Sequence, residues 1–329
     1  MIKKNNIFIV AEAGNNHEGN FNTAIKLIDK AYESGADAIK FQTYDVDNFI
    51  DPKFKKSYEK FKKFSLSYEQ FHKLSQYCKK KNIIFFSTPF DLKSAIFLNK
   101  IQKIFKISSG DNNFTDLISL VASFNKELII STGLLNLKDL KNIYKLVKKI
   151  RPKNLRLSFL HCVSSYPAPL DQINLLSINS IKENFSDVNV GFSDHTIGIK
   201  APLYAVLAGA QIIEKHFTLD NKFSKFRDHA ISLDPRDFKK MVDQIREAEK
   251  ILGSSQKIIL PVEKENITGM RRSAYASRNL EEGKILRKKK IIYLRPGFGL
   301  NENEVKKFLG KKIKFKIDKF KAIKKNHFD

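Results

Sequence analysis

The sequence is short of cysteine, of acidic residues and of long apolar runs, and each shortage excludes something. Its two cysteines, Cys78 and Cys162, lie far apart without metal or redox spacing. That fits a reducing, cytoplasmic setting. The 329 residues are 42% hydrophobic, yet no apolar run is long enough to span a bilayer, so no membrane partner is expected. The start, MIKKNNIFIVAEAG, is basic and then apolar. Its apolar stretch is too short for a leader, and Glu12, Asn15 and Asn16 follow at once, so a first core strand is expected. Acids number 35 against 60 Lys plus Arg, a net charge of +25. Such an excess raises nucleic acid as a partner. There is no Arg-rich arm or stacking motif, however, and the lysines are spread along the whole chain among many Asn, Ile and Phe. The charge reads as a biased surface, part of it attracting anionic substrates, and nucleic acid is not expected as the partner.

What is present is a repeat of short apolar runs, each ending in small or polar residues. Strands are expected at 7–14 (IFIVAEAG), 37–44 (DAIKFQTY), 83–90 (IIFFSTPF), 104–110 (IFKISSG), 127–133 (ELIISTG) and 155–162 (LRLSFLHC), then at VNVGFSD before His195 and AQIIEK before His216. Helical spacing separates them at 21–34, near 68–81, over DLKSAIFLNK and DLISLVASF, at 137–149, near 174–185, over TIGIKAPLYAVLAGA and at 235–251. The charged and aromatic stretch 45–67 reads as a long loop over the site. Eight such units in about 250 residues are the size of a (β/α)8 TIM barrel, an α/β fold. Runs this apolar suit strands buried on both faces. The texture changes after GSSQKIILPVEKENIT, and short alternating runs with a Glu-Gly turn at 282–283 follow. The expected organisation is a catalytic barrel over 1–252, a linker over 253–269 and a small β-rich domain over 270–329, sized to cap the barrel mouth.

In a parallel barrel all strands end on one face, and that face carries the site. His195 and His216 end adjacent strands, so two imidazoles can meet at one metal ion; a buried, hydrogen-bonded structural histidine is the alternative for each. Two protein nitrogens leave most of a metal's coordination open, which suits a Lewis acid and not a closed structural zinc. Mn²⁺, Mg²⁺ and Zn²⁺ all remain open. Lys40, Lys106, Ser109, Ser131 and Ser193 lie at or near five strand ends. Ammonium and hydroxyl groups beside glycines make a phosphate or carboxylate site, although each serine alone is equally a turn residue. A lysine inside an apolar strand is costly without a counter-charge, which points to an anionic ligand. Glu12, Asp194, Glu214 and Asp228 are candidates for proton handling or sugar binding. Asp194 and Glu214 are equally placed to orient the histidines.

The segments AEAGNNHEG, KFQTY, FSTPFD, KISSGD, ISTG, HCVSSYPAP, GFSDHTIG and EKHFTLD, in this order and spacing, resemble the sialic acid (nonulosonic acid) synthase family. The C-terminal RRSAYAS, GKIL and LRPGFGL resemble that family's antifreeze-like SAF domain. The resemblance covers nearly the whole chain. It implies condensation of phosphoenolpyruvate with an N-acylated hexosamine, giving a sialic, legionaminic or pseudaminic type of acid plus phosphate. It implies His195 and His216 as metal ligands, with Mn²⁺ first. Phosphoenolpyruvate would be held by Lys40, Lys106, Ser109, Ser131 and Ser193, and by Ser164 where the family often has asparagine. The sugar would meet Glu12, Gln42, Tyr166 and Asp228. It would also meet Arg295, reaching over from the partner of a domain-swapped homodimer. Glu12 would handle a proton near the aldehyde or the water, and the product would enter a capsule, lipopolysaccharide or flagellar glycan.

Two stretches depart from that pattern. The usual Gly-Pro-Asp-His run reads Phe226-Arg227-Asp228-His229, and the glycine turn often found near the C-terminus is replaced by Lys319 and Phe320. Other readings of the strand ends are a condensing synthase for sugar phosphates, which needs a second basic cluster, and a metal-dependent barrel hydrolase, which needs a third ligand such as His161. A non-catalytic carbohydrate- or nucleic-acid-binding protein leaves the polar strand ends unexplained.

Overall fold

The structure, a computed structural model, describes residues 6–153 and 155–328. The basic start at 1–5 and the final residue of the small domain lie outside the described residues. Eight parallel strands form one sheet: β1 (Phe8–Gly14), β2 (Ala38–Thr43), β3 (Ile84–Pro89), β4 (Ile104–Ile107), β5 (Glu127–Ser131), β6 (Leu157–Cys162), β7 (Asn189–Asp194) and β8 (Ile212–His216). The hydrogen-bonded order is β3-β2-β1-β8-β7-β6-β5-β4, and the two ends of that ladder, β3 and β4, lie against each other. The (β/α)8 barrel expected from the eight repeats is the fold observed.

Alternation along the strands explains why this sheet closes where it does. Inward positions are apolar at the N-terminal end, where Phe8, Val10, Ala38, Phe86, Ile104, Ile129, Leu160 and Ile212 make one small cluster. Two to four residues further on, the same inward face turns polar: Glu12, Lys40, Lys106, Ser131, Ser193, Glu214 and His216. The outward positions, such as Ile9, Ala11, Ile39, Phe41, Val190 and Ile213, join the large core beneath the helices. Gly191 faces a crowded point. A Cβ there would lie 2.4 Å from the Ile212 carbonyl oxygen and 2.6 Å from Leu160 Cδ2, so only glycine lets β7 pass.

The helices follow their sequence signals, with adjusted ends. Ser67 caps the helix Tyr68–Lys81 through a capping box with Gln70. Asp234 caps Pro235–Leu252, accepting from the Asp237 N–H, with proline in the first turn. The segment after β7 forms a shorter helix than its spacing suggested, Lys200–Leu207. The stretch 45–67 is not a loop: it holds the 3₁₀ turn Val46–Asn48 and the helix Lys55–Phe64. Its signal was Tyr58, Phe61 and Phe64, spaced by three among the lysines, and Phe64 is buried.

The chain divides into two compact units, Met1–Gly253 and Ser254–Asp329. The second unit has its own core of Ala274, Leu280, Leu286, Phe308, Ile313 and Ile323, among others. Its antiparallel pair is β9 (Ser273–Ala276) with β10 (Ile291–Leu294). Residues 253–269 carry two short helices, Pro261–Lys264 and Ile267–Met270, the latter running one residue beyond that span. Phe320 has φ +64, so the left-handed turn for which glycine was missing is kept by a bulky residue. Among the described residues, no helix is long and apolar enough to cross a membrane.

Candidate active site

A cavity of about 690 Å³ opens at the C-terminal ends of the strands. Sheet register builds its floor. Glu12 of β1 stands beside Lys40 of β2 on one side and His216 of β8 on the other, while Ser193 of β7 stands beside Glu214 of β8. The side chains then meet across the barrel. Lys40 Nζ lies 2.9 Å from Glu12 Oε2 and 3.4 Å from Glu214 Oε2, and it donates to Thr88 Oγ1 at 3.2 Å. Lys106 Nζ reaches Glu214 Oε1 at 2.8 Å, and the Ser193 hydroxyl donates to the same oxygen at 2.9 Å.

Both lysines therefore have protein counter-charges, which their sequence setting did not reveal. The two carboxylates are not equivalent. Burial raises the Glu12 pKa, Glu214 adds to the rise and Lys40 only partly opposes it. Burial would raise Glu214 too, but Lys106 and Lys40 outweigh it and hold that carboxyl well below the usual range. Burial lowers Lys106, whereas Glu12 and Glu214 overcome burial at Lys40 and raise it. The floor thus sets two lysines against two carboxylates that differ: both lysines favour the ionised form of Glu214, and Glu12 is the carboxyl that gains a proton more readily.

The hydroxyls gather at one side. The Gly133 N–H donates to Ser109 Oγ at 3.2 Å, and the hydroxyls of Ser131 and Ser164 are buried without a hydrogen-bond partner. Gly133 brings Ser109 and Ser164 together: a Cβ there would stand 2.3 Å from Ser164 Oγ and 2.7 Å from Ser109 Oγ. Unpaired buried hydroxyls are unfavourable, so this corner suits a ligand with acceptor oxygens.

The rings of His195 and His216 have centroids 5.3 Å apart. His195 Nδ1 lies 2.9 Å from the Val163 carbonyl oxygen and 3.8 Å from Cys162 Sγ. His216 Nδ1 is buried without a partner. Burial, with His195 and Lys40 nearby, keeps His216 far below the ordinary imidazole range; at His195 the Cys162 contact outweighs burial and raises it. Neither Asp194 nor Glu214 orients an imidazole, contrary to that expectation: Glu214 is held by the lysines and Asp194 by Lys215 at 2.7 Å. His161 is not a third ligand. Its Nε2 lies 2.6 Å from the Ile173 carbonyl oxygen, and its ring stacks on Phe192. Among the described residues no group of three or more His, Cys, Asp or Glu side chains is placed to hold a metal.

The remaining sugar-site candidates of the barrel also line the cavity. Gln42 donates to Glu12 Oε1 at 3.1 Å and accepts from Asn15 Nδ2 at 2.7 Å. The Tyr166 ring centroid lies 4.0 Å from that of His195 and 4.3 Å from the Arg227 guanidinium carbon. Asp228 is raised by burial against the nearby Arg227, whose Nε lies 3.4 Å away. Phe226 packs edge-on against Phe64 at 5.2 Å. The two residues standing where Gly-Pro was expected therefore build part of the cavity wall. Arg295 lies in the second unit, exposed, just past β10. Thr88, Asn15, Cys162 and Arg227 went unnoticed in the sequence, since a lone polar residue at a strand end or in a loop carries no distinguishing pattern. Lys215, between two charged or ligating neighbours in an apolar strand, did carry one.

A sequence model of the NeuB family matches residues 27–257. The N,N'-diacetyllegionaminic acid synthase of Campylobacter jejuni is 39% identical over 317 residues, 92% of this chain and 94% of that protein. A pseudaminic acid synthase of Campylobacter jejuni is 36% identical over 336 residues, 98% and 96% of the two chains. Among solved structures, the N-acetylneuraminic acid (sialic acid) synthetase of Leptospira borgpetersenii in complex with citrate aligns with a TM-score of 0.75 at 36% identity, covering 80% of this chain and 90% of that one.

Proposed function

The chain belongs to the NeuB family and is an enzyme of the transferase type, and from that premise we propose that it condenses phosphoenolpyruvate with an N-acylated hexosamine. The products are a nonulosonic acid and phosphate. The observation that carries this reading is the pair of buried lysines facing one ionised carboxylate on the cavity floor. Two buried ammonium groups converging on one carboxylate, beside unpaired hydroxyls, suit a small substrate with two anionic groups.

Lys40 and Lys106 hold the carboxylate and phosphate, with the hydroxyls of Ser109, Ser131, Ser164 and Ser193 completing their hydrogen bonds. The two unpartnered hydroxyls, of Ser131 and Ser164, support this assignment. Glu12, Gln42, Tyr166 and Asp228 take the open-chain sugar. The two histidines fit a divalent metal: their rings are close, and His216 offers a buried, unpartnered Nδ1. A divalent ion held by His195 and His216, Mn²⁺ first and Mg²⁺ or another metal as alternatives, would supply a Lewis acid for the aldehyde oxygen. Glu12 holds or releases the proton at that oxygen or at the attacking water. A C–C bond forms between C3 of the enolpyruvate and the aldehyde carbon, water adds at C2, and the C–O bond to phosphate breaks. The lysines balance the charge that builds on the departing phosphate. Arg295 of the small, SAF-like domain reads the N-acyl group of the sugar in the partner subunit, as in a domain-swapped homodimer.

The test is phosphate release from phosphoenolpyruvate with Mn²⁺, against a panel of three N-acylated hexosamines, with and without EDTA. Release is expected to need both a sugar and the metal. Full release in EDTA would remove the metal from the reading, and no release with any sugar, from folded protein, would overturn it. His216→Ala should lower kcat by on the order of 10²–10³-fold with the circular dichroism spectrum unchanged.

A further inference from the structure

Lys215 and Asp194 form an ion pair with both side chains at 0% exposure, at the ends of the two strands that carry the histidines. Nothing in the proposed chemistry uses them. Side chains alternate along a strand, so Ser193 and His195 of the β7 end and Glu214 and His216 of β8 face the cavity, while Asp194 and Lys215 occupy the opposite face. The register sets these two residues side by side.

Their hydrogen bonds close a ring around residue 195. Lys215 Nζ donates to Asp194 Oδ2 at 2.7 Å and to the Thr196 carbonyl oxygen. Asp194 Oδ1 accepts from the Thr196 N–H at 2.8 Å, and Oδ2 accepts from the Thr196 hydroxyl at 3.2 Å. The peptide units on both sides of Thr196, the residue after His195, are thereby tied to the residue that precedes His216. Neither imidazole is held by a carboxylate: His195 Nδ1 faces the Val163 carbonyl, and His216 Nδ1 has no partner. Ring placement therefore depends on where the backbone ends of β7 and β8 are fixed. A fully desolvated ion pair is a poor source of stability, and apolar replacements of similar volume are commonly neutral or stabilising. Its value lies in geometry.

We propose that Lys215 and Asp194 are positioning residues, a staple on the outer face of β7 and β8 that sets the spacing of His195 and His216 for a divalent ion. The inference rests on the two-histidine reading above. Supporting groups of this kind typically change metal affinity by about 10–100-fold when removed.

The test is Mn²⁺ binding to the metal-free full-length protein, followed by electron paramagnetic resonance, together with kcat and KM for phosphoenolpyruvate. The double variant Lys215→Met/Asp194→Leu leaves no unpaired buried charge. It is expected to fold but to melt below the wild-type temperature, because the buried Thr196 N–H and C=O lose their partners, to bind Mn²⁺ roughly 10–100-fold more weakly and to lose kcat, with the KM for phosphoenolpyruvate little changed. A milder variant, Thr196→Val, deletes only the hydroxyl bond to Asp194 and should weaken Mn²⁺ binding by a smaller factor in the same direction. Wild-type Mn²⁺ affinity in both variants would overturn the staple while leaving the histidine site intact. A wild-type protein that binds no Mn²⁺ would overturn both.

Discussion

His17 sits in the loop after β1, fully enclosed, with its ring 5.9 Å from that of Phe41. Its Nδ1 accepts from the Gly19 N–H at 3.0 Å, and its Nε2 has no partner. Burial lowers its pKa from 6.5 to about 4. A histidine lowered in the folded state takes up its proton first in the unfolded chain, so its contribution is whole above pH 6.5 and is lost as pH falls toward 4. The loss amounts to about 3 kcal/mol at full burial. Urea unfolding should therefore show wild-type stability falling by about that much more than His17→Gln between pH 7 and pH 4. Parallel profiles would mean that the ring reaches water. At His216 burial again lowers the pKa, with His195 and Lys40 adding to it, whereas at His195 the Cys162 contact outweighs burial and raises it. Strand-end placement made those two histidines legible; what lies beside each ring did not show in the pattern.

Among elements, the turn after β5 is tightly packed against two serine side chains. Its Gly133 lies where a methyl group would meet Ser164 Oγ at 2.3 Å and Ser109 Oγ at 2.7 Å. Both are side-chain oxygens, so Gly133→Ala should fold with the hydroxyls displaced and should raise the KM for phosphoenolpyruvate about tenfold, with a lesser effect on the sugar. An unchanged KM would separate this corner from phosphate binding. ISTG could be read as a strand end from sequence, and Ser131 with it. That Ser109 and Ser164, from two other loops, converge on Gly133 follows from neighbouring strands ending side by side. The helix Lys55–Phe64 makes the opposite point. Its three-residue aromatic spacing was present in the sequence but was masked by charge, because six of the residues from 53 to 63 are lysines. Phe61 and Phe64 line the cavity wall.

At the scale of the whole molecule, catalytic floor and small domain are separate compact units. If Arg295 reads the acyl group of a partner-bound sugar, Arg295→Ala should raise the KM of the sugar far more than that of phosphoenolpyruvate. Steady-state kinetics with each substrate varied in turn checks this, and the reverse pattern would remove the contact in trans. The net charge of +25 bears on the other substrate. Part of that field draws anions to the cavity mouth, where Lys60, Lys63 and Lys225 stand near the two floor lysines. The lysine count by itself suggested polyanion binding; the fold spreads it over helices and loops of both units.

By itself the sequence determined the eightfold alternation, the polar strand ends, the paired histidines and the family, because buried parallel strands demand apolar runs and a barrel gathers their ends on one face. It did not determine the pairing of charges. Which carboxylate faces which ammonium depends on register and on how the sheet closes: Glu12 meets Lys40 by the β1–β2 pairing, while Glu214 meets Lys106 across the barrel. Closure of the sheet brings Lys106 within 3 Å of Glu214, and the lysines gathered there separate the proton affinity of that glutamate from that of the equally buried Glu12.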